Sequence, residues 1–474
     1  VIGARRAQRS GEAVRSHDQP PTDPRRIRVL DDGRHRNRPL RCDVRGDGAE
    51  LGEGRTRDLL DEHVENAATR ETDLERVVVV GASLAGLTAA ASLREQGWDG
   101  HLVVVDSASE LPADRPPLSK QVLAGTMDPA AARQPLADRI DELDIDLRLG
   151  HRVEGFGADD HRIKFFNDHE LTADGVIVAT GANARWPAPR DELPAGVHVV
   201  RTLEDSLALK AELDTAAGPL VVLGAGFIGA EVAATARTAG HDVTMIEAAP
   251  QPLARVLPSE VGAAVAKLHR DHGVDVRVGV GFASIDAGPG GRVGSVTLSD
   301  GSVVPASVVV AGLGADPSIE WLSGSGLSLY NGVVCDETLL AAPGVTAAGD
   351  VANWFNPTFG ERMRVEQWDH AIESGRAAAL RLLAEAGGDA PQPFASVPWF
   401  WSDQYDRKLQ MAGRPSGNDE AVVIDGELGA ERFAVAFRRG DRCTGVLACN
   451  RPRLAVVSRT RMAQSLAWDH VVGA

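Results

Sequence analysis

The stretch "PLVVLGAGFIGAEVAATARTAGHDVTMIEAAP", Pro219 to Pro250, decides the fold class. A short apolar run, Leu220 to Leu223, ends at Gly224, Gly226 and Gly229 in full G-x-G-x-x-G order. An Ala-rich helical pattern follows, and then a second apolar run that ends on Glu247. This spacing predicts strand, turn, helix and strand, the context that a dinucleotide fingerprint requires. The first glycine permits the tight turn, the second admits the pyrophosphate, and the third lets helix and strand pack closely. An acid at the end of the second strand accepts a bond from a ribose 2′-OH and repels a 2′-phosphate. Only Ala248 and Ala249 follow it, with no arginine, so the turn reads as a site for NADH over NADPH.

A second copy lies upstream. "RVVVVGASLAGLTAAASLREQG", Arg76 to Gly97, places Gly81, Ser83 and Gly86 in the same order, with serine at the middle position. The following run, "HLVVVD", ends on Asp106, about twenty residues past the last glycine, where a carboxylate would hold a ribose. One glycine turn is weak evidence. Two, each in strand–turn–helix context and each closed by an acid, point to an α/β protein with two Rossmann-like dinucleotide-binding domains. Further strand-to-turn segments belong with them. "GVIVATGANARWP" carries Thr180 and Gly181, "SVVVAGLGADPSIEWL" carries Gly312, and "GVTAAGDVANW" carries Gly349 and Asp350.

Composition bounds the remainder. A chain of 474 residues suggests about three domains. The net charge of −17 speaks against a nucleic-acid binder. No run of about 18 apolar residues exists, so no transmembrane helix is expected. Four cysteines without C-x-x-C spacing argue for a reducing, cytoplasmic setting and against a metal site or redox dithiol. From Val1 to Glu75 there is no Phe, Trp, Tyr, Met or Lys. Such a segment cannot bury enough area to offset its ordering entropy, so residues 1–75 are expected to be a disordered extension with no part in the chemistry.

Aromatics make up 4% of the chain, yet Trp399, Phe400 and Trp401 are adjacent in "PWFWSDQYDRKLQ", Pro398 to Gln410. That concentration reads as a wall against something flat. Together with "DRPPLSKQVLAG" (Asp114 to Gly125), "AAGDVANW" (Ala347 to Trp354) and "RVEQWDHAIESG" (Arg364 to Gly375), the chain from Arg76 onward resembles the FAD-dependent NADH:ferredoxin reductases of oxygenase electron-transfer chains. Putidaredoxin and rubredoxin reductases are members of that family.

The resemblance implies a glutathione-reductase-like flavoprotein. Its FAD domain would be discontinuous, 76–187 and 314–385, an NADH domain, 188–313, would be inserted, and an α+β domain would span 390–474. It implies that Arg115 and Lys120 sit against the flavin, that Lys120 pairs with Glu231, and that Asp350 holds the ribityl–pyrophosphate part. Glu366 and Trp368 would approach the nicotinamide, and Trp399 to Trp401 would cover the flavin edge. Electrons would pass to a [2Fe–2S] ferredoxin or rubredoxin and indirectly to an oxygenase, from a monomer or weak dimer. The arginines between Arg432 and Arg461, with Asp441 as the only acid within the patch, offer a docking surface for an acidic ferredoxin. Ala113, Ala108, Gln367 and His370 depart from the family pattern. Disulfide reductases and flavin peroxidases of this fold need cysteine after the first helix, and none occurs between Cys42 and Cys335. A redox-sensing flavoprotein module akin to apoptosis-inducing factor stays open as the alternative.

Overall fold

Valine runs that are apolar on both faces become central strands of parallel sheets, because only a strand covered on both sides tolerates them. In the computed structural model, which describes residues 28–29, 74–215 and 218–473, two such sheets form. The first orders its strands Leu340–Ala342, Val345–Ala347, Gly175–Val178, Arg76–Val80, His101–Val105 and Asp146–Arg148. All are parallel except Leu340–Ala342. The second is wholly parallel and orders Val197–His198, Val308–Ala311, Leu220–Leu223, Val243–Glu247 and Asp275–Val278. The chain leaves the first sheet after Gly175–Val178, builds the second, and returns to the first with Leu340–Ala342 and Val345–Ala347. Helices Leu84–Glu95 and Trp368–Gly387 cross so closely that a Cβ on Gly375 would fall 2.4 Å from the Ala85 carbonyl oxygen.

The C-terminal sheet is antiparallel over Trp399–Gln404, Arg407–Gly413, Glu420–Gly426, Phe433–Arg439 and Arg442–Cys449, with helix Pro452–Gln464 on one face. Its other face buries Leu409, Met411, Val435 and Phe437 against Leu253, Leu257, Val261 and Val265 of the second unit. Polar contacts add to this apolar seam. His269, fully buried on helix Ser259–Asp271, meets the Tyr405 hydroxyl through Nδ1 and the Gln404 side-chain oxygen through Nε2, both at 3.1 Å. Tyr405 has φ 57°, unfavourable for a bulky residue, and His272 stacks on its ring at 3.7 Å. On the first unit's side, Arg459 reaches Asp369 at 2.9 Å and Glu373 at 2.7 Å.

Most of the extension expected over 1–75 lies outside the described residues. Arg28–Val29 pair in parallel with Val422 and Val423 at the sheet edge. Leu74, two residues before Arg76, is buried, and its carbonyl accepts the Trp98 Nε1 hydrogen at 2.8 Å. An indole 24 positions downstream is what ties it down, and no local pattern signals that.

Two histidines are held neutral by burial. The pKa of His269 is lowered to about 4, and that of His370, stacked on Trp354, likewise to about 4. The unfolded chain therefore binds protons between about pH 6.5 and 4 that the folded chain does not, and stability is lost as pH falls through that window. Asp369 opposes this, because burial raises its pKa to about 6. His269→Gln should lower stability at pH 7 yet flatten the fall between pH 7 and 4 by about 3 kcal/mol relative to the unmodified chain. Denaturant melts across that range measure it, and parallel curves for the two proteins would refute it.

Candidate active site

The two glycine turns are built alike. Gly81 at φ 115° and Gly224 at φ 94° lie beside a neighbouring strand, where a Cβ would fall 2.3 Å from the Ala179 oxygen and 2.5 Å from the Gly312 oxygen. Only glycine satisfies both the dihedral and the space. The closing acids are fixed in the same way. Asp106 accepts the Ala82 N–H at 2.7 Å and the Ala108 N–H at 2.9 Å. Glu247 accepts the Ala225 N–H at 2.8 Å and the Ala249 N–H at 2.9 Å. Each carboxylate is thus held at the mouth of its turn before any ligand arrives.

Both turns open into one cavity of about 1660 Å³. Of the residues expected from the sequence, Gly81, Ser83, Asp106, Arg115, Lys120, Thr180 and Gly181 line it, as do Gly349, Asp350, Glu366, Trp368 and Trp401. From the second unit come Gly224, Gly226, Glu231, Glu247 and Gly312. Gly86 and Gly229 do not line the cavity. They lie beneath the turns, where a Cβ would meet Gly81 O at 1.8 Å and Gly224 O at 2.1 Å. The residues fit two dinucleotides. Nothing lies within 4 Å of a Cβ built on Gly226, and Ser83 caps its helix with no side-chain bond, which leaves both helix N-termini open to phosphate.

Between the turns lies a charged centre. Lys120 Nζ stands 3.3 Å from Glu231 Oε1, and the Ser119 hydroxyl donates to Glu231 Oε2 at 2.5 Å. Burial pushes the Glu231 pKa up, and Lys120 and Ser119 only partly offset it. Trp368 Nε1 donates to Asp114 at 2.8 Å and its ring meets Trp401 edge-on at 6.1 Å. Burial raises the Asp114 pKa, partly countered by that indole. Glu366 is paired with Arg364 at 2.7 Å. The Thr180 hydroxyl donates to the Ser318 carbonyl at 2.8 Å.

Arg201 is a residue that sequence reasoning missed. Its guanidinium meets Asp350 at 2.6 Å, with Arg115 at 3.5 Å from the same oxygen. Burial and the like charge of Arg201 lower the Arg115 pKa to about 10, and the Arg201 Nε is buried without a partner. Two guanidiniums on one carboxylate leave a net positive lining, suited to an anionic ligand. The "RT" before helix Leu203–Thr215 was the only local signal, too slight to single it out.

Two expectations need correction. Trp399 does not join the aromatic wall. It shares a strand face with Trp401 but lies two residues further back, in the core under helix Pro452–Gln464, while Phe400, on the opposite face, lines the cavity and meets Phe227 at 4.3 Å. The arginine-rich stretch is not a bare cationic patch either. Arg439 is paired with Asp419, Arg451 with Asp425, and Arg459 with Asp369 and Glu373, acids that the fold brings from elsewhere in the sequence.

Residues 75–375 match the family described as pyridine nucleotide-disulphide oxidoreductase, and 399–472 match a reductase C-terminal domain. The chain belongs to the pyridine nucleotide-disulphide oxidoreductases. Members of this family use FAD and NADH, the cofactors that the two turns imply. This member is similar to rhodocoxin reductase of Rhodococcus erythropolis, 36% identical over 82% of this chain and 90% of that one. It is 37% identical to the ferredoxin–NAD(+) reductase component of an anthranilate 1,2-dioxygenase system of Burkholderia cepacia, over 83% and 95% of the two chains. The solved covalent putidaredoxin reductase–putidaredoxin complex superposes with a TM-score of 0.77 at 34% identity, over 82% of this chain and 93% of that one. Despite the family's name, no dithiol lies at this site among the described residues. Cys335, Cys443 and Cys449 are free and buried, and burial pushes their pKa values up to about 12, 12 and 11.

The third-glycine and second-glycine positions should separate cleanly. Gly229→Ala is expected to cost more than about 3 kcal/mol, since backbone must move. Gly226→Ala should melt within about 2 °C of the unmodified chain while KM for NADH rises about tenfold. Thermal melts and steady-state kinetics measure both, and equal destabilisation by the two changes would contradict the assignment.

Proposed function

We propose that this chain is an FAD-dependent NADH:ferredoxin reductase, with the first sheet (76–187 and 314–385) holding FAD and the second (188–313) holding NADH. The observation that carries the reading is that both acid-locked glycine turns open on one cavity, with Lys120 and the two tryptophans between them. When bound, FAD takes the hydride of NADH and passes its electrons on singly. Asp106 and Glu247 orient the two riboses. Arg115 and Arg201, with Asp350 between them, hold the anionic part of FAD. Lys120, paired with Glu231, favours the reduced cofactor electrostatically. Trp368 and Trp401 keep bulk water off the ring, and Asp114 fixes the Trp368 indole. No nucleophilic side chain is required. The partner is a small iron–sulfur protein that feeds an oxygenase, as the names of the relatives indicate for those proteins. We place the chain in the cytoplasm, where NADH and reduced thiols coexist. Among the described residues no helix is long and apolar enough to cross a membrane. Nothing in the cavity favours a binding module without turnover.

The purified chain is expected to carry FAD, to reduce a [2Fe–2S] ferredoxin with NADH, and to prefer NADH over NADPH by tenfold or more, on the order set by repulsion between Glu247 and a 2′-phosphate. Glu247→Arg combined with Ala248→Arg should reverse the preference. Equal kcat/KM with both nucleotides in the unmodified chain would overturn the role of Glu247, and an absence of bound FAD would overturn the whole reading.

A further inference from the structure

The Lys120 ammonium has two carboxylate partners, and only one of them is buried. Glu231 lies at 3.3 Å with its side chain 4% exposed; Asp403 Oδ2 lies at 3.7 Å and is 36% exposed. The other Asp403 oxygen stands 4.0 Å from Nζ of Lys408, which is 51% exposed. The row Glu231, Lys120, Asp403, Lys408 therefore alternates in sign from the cavity floor to solvent. Both ammonium groups flank the Trp401 ring, at 5.8 Å and 6.0 Å from its centroid. Asp114 is the further acid that Lys120 faces across the cavity.

We propose that Asp403 is a positioning residue that sets how much of the Lys120 charge reaches the bound flavin, an inference that rests on the FAD reading above. Glu231 cancels Lys120 with a fixed carboxylate that solvent ions cannot reach. Asp403 adds a second negative charge, and Lys408 and dissolved salt compete with Lys120 for it. The trio of Glu231, Lys120 and the half-exposed Asp403 carries a net charge of −1, which Lys408 neutralises from outside. Weakening Asp403 removes the excess negative charge beside Lys120 and favours the reduced, more negative cofactor. Strengthening its hold on Lys120 does the reverse. The exposed end of the row is thus where the surroundings act on a group sealed from them.

The test is the flavin midpoint potential of the full chain, read by dye equilibration. Asp403→Asn is expected to raise the ratio of reduced to oxidised flavin at fixed potential about tenfold, which is about 30 mV for a two-electron couple. Asp403→Glu should stay near the unmodified value, and Lys408→Gln should shift the ratio the opposite way by a smaller factor. Salt should move the unmodified protein toward the Asp403→Asn value and leave that variant nearly unmoved. An unchanged or lowered potential in Asp403→Asn, or equal shifts in the Asn and Glu variants, overturns the proposal. If Asp403→Asn does not fold, Lys408→Gln and the salt titration decide: no opposite shift and no salt response refute it. A chain that binds no FAD, or whose flavin NADH does not reduce, fails the functional reading instead. Flavin that is reduced normally at an unmoved potential fails only Asp403.

Discussion

A buried ammonium group is tolerable only among carboxylates, and the three parts of this molecule meet where that requirement is satisfied. Lys120 comes from the loop after the first glycine turn, Glu231 from the helix of the second turn, and Asp403 from the C-terminal sheet. No unit could bury the lysine alone. The Ser119 hydroxyl on Glu231 and the Thr235 hydroxyl on the Ser119 carbonyl at 2.9 Å stitch the same two segments together. The contact at the centre of the cavity is therefore also one that holds the units in register.

The duplicated turns follow a similar economy. One local geometry, a positive-φ glycine with an acid that accepts two backbone N–H groups, is used at both sites, and specificity is left to what surrounds each. At the first turn the surroundings are Arg115, Arg201 and Asp350. At the second they are Phe227 and Phe400.

The sequence made legible whatever is written in local spacing: the two glycine turns, their acids, and the antiparallel hairpin of Phe433–Arg439 with Arg442–Cys449. The Lys120–Glu231 pair came from resemblance, since its members lie 111 residues apart. Arg201, the partner of Asp350 over 149 residues, left no pattern to read. The arginine patch misled for the same reason. Counting acids between Arg432 and Arg461 ignores Asp369, Glu373, Asp419 and Asp425, which strand pairing and helix packing supply. Trp399 was misassigned because it shares a strand face with Trp401, and only the packing of helix Pro452–Gln464 over that end of the strand takes it into the core.

The excursion of the chain out of the first sheet and back has a consequence for how the molecule is made. Strand Gly175–Val178 is flanked on one side by Val345–Ala347, which a ribosome delivers long after it. Until then that strand presents an open apolar edge, and loop-closure entropy alone would make its pairing slow. The five strands of the second sheet all lie between Val197 and Ala311, so that unit can condense first. Once compact, it holds its two ends near each other and replaces a long flexible loop with a short rigid one. The inserted unit would in this way act as a template for the one it interrupts, and the order of synthesis would favour completing the second sheet before the first.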